Sequence, residues 1–78
     1  MKPTVGRIVH YIVPDHISPT TKGQSRAAII TRVWNDTCVN LHVFFDGDAL
    51  PPGTSPVVTS VLQGTDEDKW MWPPREAA

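Results

Sequence analysis

An all-β domain of five short strands is what this sequence predicts. Three observations carry the prediction. β-Branched and aromatic residues gather in short runs, Pro, Gly and Asn-Asp pairs separate those runs, and apolar residues nowhere recur at helical spacing for the roughly ten residues a helix needs. The chain has 78 residues, enough for one domain.

Val5 to Val13 reads as the first strand, rich in β-branched residues and stopped by Pro14. Val5, Val9, Tyr11 and Val13 share one face with Arg7, while Ile8, His10 and Ile12 share the other. Both faces are largely apolar, which suits a barrel or an interface strand. Residues 14–25 carry two Pro, a Gly and several hydroxyl residues, so they form a loop, long enough to suggest a functional one. Arg26 to Trp34 is the second strand. Its Ala27 to Val33 stretch could pass as helical, but Ile29, Ile30, Thr31 and Val33 are β-branched and favour a strand. Trp34-Asn35-Asp36-Thr37 is a tight hairpin turn, with Asn and Asp suited to left-handed backbone.

Cys38 to Phe45 is the third strand, with Val39, Leu41, Val43 and Phe45 alternating against Cys38, Asn40, His42 and Phe44. Asp46 to Pro56 is a second long loop, punctuated by Pro51, Pro52 and Pro56. Val57 to Leu62 is the fourth strand, Gln63 to Asp68 an acidic turn, and Lys69 to Trp72 a short fifth strand stopped by Pro73 and Pro74. Arg75 to Ala78 reads as a frayed tail. Five such strands in one small domain fit an SH3-like barrel, or a strongly bent antiparallel sheet closed by a partner chain.

A domain this short buries only about 60% of its unfolded surface and usually needs a staple. The single Cys38 excludes an internal disulfide, and no Cys and His residues have zinc-finger spacing. A homo-oligomer is therefore expected. The longest apolar runs are far shorter than a membrane span, and the first residues lack a basic-then-apolar signal pattern, so the expectation is a cytoplasmic protein with no membrane partner.

Net charge is -1, which gives no general reason to expect nucleic acid. The charges are unevenly placed: residues 1–34 are basic and residues 35–78 acidic. Arg7, Arg26 and Arg32 in the basic part could build a local anion site, or simply solvate the surface.

No nucleophile elbow, phosphate loop or zinc-protease motif is present. Cys38 and His42 lie on one strand face about 13 Å apart at strand rise, too far for a nucleophile and its base. His10, His16 and His42 form no recognisable ligand set, and Asp46-Gly47-Asp48 runs into Leu50-Pro51-Pro52 and not into a calcium loop. No catalytic residue, metal or cofactor is expected.

The aromatic residues say more. Trp70-Met71-Trp72 puts two indoles on one strand face, with Arg75 three residues on, Trp34 before the hairpin turn and Tyr11 on the first strand. Indole faces with guanidinium groups stack bases and hold phosphates. The same indoles could equally serve as core or interface packing.

The matching of several stretches goes further. Lys2-Pro3-Thr4-Val5-Gly6-Arg7-Ile8-Val9-His10-Tyr11, Arg26-Ala27-Ala28-Ile29-Ile30, Trp34-Asn35-Asp36-Thr37-Cys38-Val39-Asn40-Leu41 with Val43-Phe44, Asp46-Gly47, Thr59-Ser60-Val61, and Trp70-x-Trp72-Pro73-x-Arg75 occur in this order. In these the chain resembles a family of short proteins encoded by tailed bacteriophages. The resemblance implies a phage origin and supplies no mechanism. Small phage proteins are commonly inhibitors, decoys or virion parts, and one class consists of small β-rich oligomers that hold host immune nucleotide signals without cleaving them. The chain is similar to that class in size and in having Trp and Arg without catalytic machinery.

The resulting expectation is a phage-encoded, non-enzymatic protein that sequesters a nucleotide signal in the infected bacterial host. Trp72, Trp70 or Trp34 would stack the base, Arg7, Arg26 or Arg75 would meet phosphates, and His10, Tyr11, Asn40 and Thr59 would supply hydrogen bonds. The alternative is a protein-interaction module, either an inhibitor of a host protein or a virion or assembly component. Nucleic-acid binding ranks third.

Overall fold

The alternation that the sequence predicts for its strands is what closes the barrel. The computed structural model describes residues 1–48 and 50–74. Within them lie β1 (Ile8–Ile12), β2 (Ser25–Val33), β3 (Cys38–Val43), β4 (Val57–Gln63) and β5 (Lys69–Met71). Each strand pairs with the next and β5 returns to β1, so the five form a closed barrel with no helix among the described residues. Along β3, Val39, Leu41 and Val43 point inward and are buried, while Cys38, Asn40 and His42 point outward. Val9 and Tyr11 of β1, Ala28 and Ile30 of β2, Val61 of β4 and Trp70 of β5 complete the interior.

The barrel is mixed. Four pairings are antiparallel, but β4 and β5 run parallel, with Leu62 opposite Lys69 and Gln63 opposite Trp70. The sheet is therefore not strictly antiparallel, and β5 pairs with β4 only at that strand's last residues, Leu62 and Gln63. The acidic turn makes this possible. Asp68 takes a left-handed φ of 63°, its N–H donates to Ile12 O, and Gly64 N–H donates to Trp70 O.

Strand ends shift where turn chemistry overrides β propensity. The first strand begins at Ile8 and not Val5, because Gly6 at φ 93° makes a turn in which Arg7 N–H donates to Thr4 O. The third and fifth strands stop at Val43 and Met71. The hairpin after β2 forms without the left-handed residues expected of it: neither Asn35 nor Asp36 has a positive φ. Asn35 Oδ1 instead accepts from the backbone N–H groups of Thr37 and Cys38, both at 2.9 Å, and this Asx turn closes the loop. The expected frayed tail, residues 75–78, lies outside the described residues.

Among several long-range polar contacts, two tie loops to the barrel. Inside it, the Tyr11 hydroxyl donates to Asp68 Oδ1 at 2.6 Å. Burial, and then the hydrogen bond and charge of Asp68, push the Tyr11 phenol above its ordinary range. A pKa raised in the folded state gives stability that is present below the unfolded value, near 10, and lost as pH rises beyond it. The unfolding free energy should therefore fall above about pH 10, and Tyr11→Phe should flatten that alkaline limb. Chemical denaturation as a function of pH checks this; an equally steep limb in the variant would contradict it.

The second contact joins the two long loops. Asp48, whose side chain is wholly buried, accepts from Arg26 Nε at 2.9 Å and Arg26 Nη2 at 2.8 Å, from the Thr21 hydroxyl, and from Asp46 N–H at 3.1 Å. The Thr21 oxygen also lies 2.6 Å from the Ser18 hydroxyl. Residues 14–24 and 44–48 are thus held on a common carboxylate.

Candidate functional site

Strand alternation and register set out the barrel's outer face in rows across the strands. One row runs Ile8, Ile29, His42, Val57 across β1 to β4. Beside it His10 faces Ala27, whose carbonyl accepts from Phe44 N–H. Towards the other end Arg32 faces Asn40, and beyond them Trp34 N–H donates to Cys38 O, with Cys38 opposite Leu62. No Asp or Glu occurs on any of the five strands; every described acidic residue sits in a turn or loop.

The end of the face around Asn40 is the most constructed part of it. The β2–β3 register shifts between Ile30 and Arg32, and the β3–β4 register shifts between Val39 and Leu41, so Asn40 lies between two bulges. Bulges re-aim side chains and are over-represented beside functional sites. In the second bulge Ser60 takes a left-handed φ of 54°, a position that favours glycine. Its N–H donates to Asn40 Oδ1 at 2.8 Å. The same oxygen accepts from Trp34 Nε1 at 2.9 Å. Two N–H donors on one oxygen fix which end of the amide is which. The Asn40 NH2 therefore faces away with two donors, neither of them hydrogen bonded among the described residues.

Trp34 is 50% exposed, and the Arg32 guanidinium carbon lies 4.0 Å from the centroid of its ring. The pair makes a flat, cationic platform next to the Asn40 amide, with exposed Thr59 and Ser60 alongside on β4. Farther along the face, the His42 and Phe44 rings are 5.2 Å apart. No enclosed pocket forms among the described residues, so this is an open surface.

Of the residues the sequence nominated, the structure brings Trp34, Asn40 and Thr59 together here. The others part company. Trp70 is fully buried, with its Nε1–H donating to Thr37 O at 3.0 Å, so it has no face to stack on a base. Trp72 is half-buried and meets Trp70 edge-on, with ring centroids 5.4 Å apart. The Trp70–Trp72 face is shared, as alternation requires, but it is the inner one. Tyr11 is inside the barrel and bonded to Asp68, so its hydroxyl is not available to a ligand. Arg26 is committed to Asp48 on two of its nitrogens, which removes it as a phosphate contact. Arg7 is exposed at the turn into β1, and His10 is half-buried on the outer face, at the end away from Trp34. Arg75 lies outside the described residues.

The sequence groups Arg32 with Arg7 and Arg26 as a local anion site and leaves it out of the set beside Trp34. Its +2 spacing from Trp34 was the available signal. The left-handed Ser60 carried none, since nothing in Thr-Ser-Val marks a bulge. Among the described residues no three His, Cys, Asp or Glu side chains are grouped as a metal site requires, and Cys38 is half-buried on the outer face. Comparison with protein-family models, curated proteins and solved structures gives no match to this chain.

Proposed function

We propose that this chain is a non-enzymatic binding module that holds a nucleotide on its open outer face, at Trp34, Arg32 and Asn40. The observation that carries the reading is the Arg32–Trp34 platform set beside two Asn40 amide donors, unengaged among the described residues, on an acid-free sheet. A planar ring can stack on the exposed aromatic, its edge acceptors can meet the amide, and phosphate oxygens can meet the guanidinium. Nothing in this arrangement activates a nucleophile or a water, so the ligand is held and not turned over. With the resemblance to short tailed-phage proteins, the reading becomes sequestration of a host immune nucleotide in the cytoplasm of an infected bacterium.

Trp34→Ala tests the site. Loss of one base–aromatic stack, about 1–3 kcal/mol, should weaken binding roughly ten- to hundredfold. Because the side chain is half exposed, the melting temperature should change little. Calorimetric titration with cyclic dinucleotides and ADP-ribose-type nucleotides, alongside thermal unfolding, checks both. A folded variant with unchanged affinity would contradict the assignment of Trp34.

One observation favours a second reading, a protein-interaction module. The outer face exposes large apolar side chains well beyond a nucleotide's footprint, including Ile8, Phe44, Val57 and Leu62. An inhibitor of a host protein or an assembly component would use that breadth.

A further inference from the structure

Resting on the nucleotide reading above, we infer that Asn40 and Arg32 select the base: the platform takes guanine, through its neighbouring acceptors N7 and O6, in preference to adenine.

The selection follows from how Asn40 is held. An asparagine amide free at both ends offers an acceptor beside two donors, and that combination matches adenine, whose edge places the N6 amino donor beside the N7 acceptor. Asn40 is not free at both ends. Its Oδ1 accepts from Trp34 Nε1 at 2.9 Å and from Ser60 N–H at 2.8 Å, which uses both lone pairs of the oxygen. Ser60 aims its N–H there from a left-handed φ of 54°, a strained backbone for a serine. Turning the amide over would set its NH2 against two N–H donors, so the orientation is locked. Asn40 is half-buried, and among the described residues its NH2 has no partner. It therefore presents donors to a ligand and no acceptor.

Arg32 has the same sign. It faces Asn40 across the β2–β3 pair, is exposed, and makes no hydrogen bond or ion pair among the described residues; its contact is the Trp34 ring, whose centroid lies 4.0 Å from the guanidinium carbon. A guanidinium donates and never accepts, while the Thr59 and Ser60 hydroxyls do either and impose no sign. Guanine's N7 and O6 satisfy such a pair of donors. Adenine would turn its N6 amino group onto the Asn40 amino group, donor against donor. A good bidentate base contact separates right from wrong base roughly ten- to hundredfold, and an open surface that keeps water at hand favours the lower figure.

Calorimetric titration of the full chain with two matched pairs tests this: cyclic di-GMP against cyclic di-AMP, and GDP-ribose against ADP-ribose, each pair differing only in the base. The guanine member should bind on the order of tenfold tighter in whichever pair binds. Cyclic di-IMP, which keeps N7 and O6 and lacks the 2-amino group, should bind as cyclic di-GMP does. Asn40→Asp keeps an oxygen for Trp34 and Ser60 and turns the outward donor into an acceptor, so its guanine preference should vanish or reverse. The ratio of affinities is the readout, because a new carboxylate weakens any phosphate ligand. The inosine ligand needs no variant and carries the test if Asn40→Asp does not fold. Adenine bound as tightly as guanine, with both lost in folded Trp34→Ala, would overturn the base assignment and leave the nucleotide reading standing. Weak binding of cyclic di-IMP, or a guanine preference undiminished in folded Asn40→Asp, would do the same. Binding of none of these ligands would overturn both.

Discussion

Trp70→Ala is expected to lose about 3–5 kcal/mol of folding stability, the usual cost of deleting a buried tryptophan. The indole is the largest fully buried side chain, sits where β5 closes the barrel onto β1 opposite Tyr11, and braces Trp72 edge-on. Its N–H also satisfies Thr37 O beside the hairpin. Domains of this size have total stabilities near 5–15 kcal/mol, and each kcal/mol moves the melting temperature by about 4–8 °C. The variant should therefore melt some 12–40 °C lower or fail to fold. Trp72→Ala should cost clearly less, since Trp72 is only half-buried. Thermal unfolding of the pair checks the ranking; equal losses would contradict the placement of Trp70 as the inner of the two.

Arg26→Ala should be comparably damaging, for an electrostatic reason. It leaves the Asp48 carboxylate, with no exposed side-chain surface, without its cation, and removing one partner of a buried pair costs about 3–5 kcal/mol. Asp48→Asn should cost less, because the Arg26 side chain keeps 13% exposure and its guanidinium can reach water. The Arg26 hydrogen bonds, aided by those from Thr21 and Asp46 N–H and opposed by burial, hold the Asp48 carboxyl at about 2. A carboxyl depressed in the folded state gives stability that is present above its unfolded value, near 4, and lost as pH falls towards the folded one. The wild type should thus weaken between about pH 4 and pH 2, with that acid limb shallower in Asp48→Asn. Denaturant unfolding at stepped pH measures it; an acid limb of unchanged depth in Asp48→Asn would show that another group sets it.

Much of the barrel was legible in the chain because its signals are local. β-Branched runs placed all five strands, and the two-residue period of residues 38–45 sorted Val39, Leu41 and Val43 from Cys38, Asn40 and His42 correctly. What failed to show depends on partners distant in sequence. Trp34 and Trp70 are the same residue type in similar strand-end settings; only the pairing of Tyr11 with Trp70 puts one inside and leaves the other half exposed. Arg26 looked like a free cation until the loop 22 residues on brought Asp48 to it. The parallel β4–β5 contact depends on a left-handed Asp68, and the Asn40 site on a left-handed Ser60, neither of which a residue type announces.

The account's central claim is that the Trp34 end of the outer face holds a nucleotide without cleaving it. The most direct measurement is mass spectrometry of nucleotides left in solution after incubation with purified wild-type protein and with Trp34→Ala, followed by heat release of whatever was bound. The account predicts that wild type depletes at least one cyclic dinucleotide or ADP-ribose-type nucleotide, returns it chemically intact on heating, and that folded Trp34→Ala depletes it far less. Depletion of none by the wild type, recovery of a cleaved product, or undiminished depletion by the variant would contradict it.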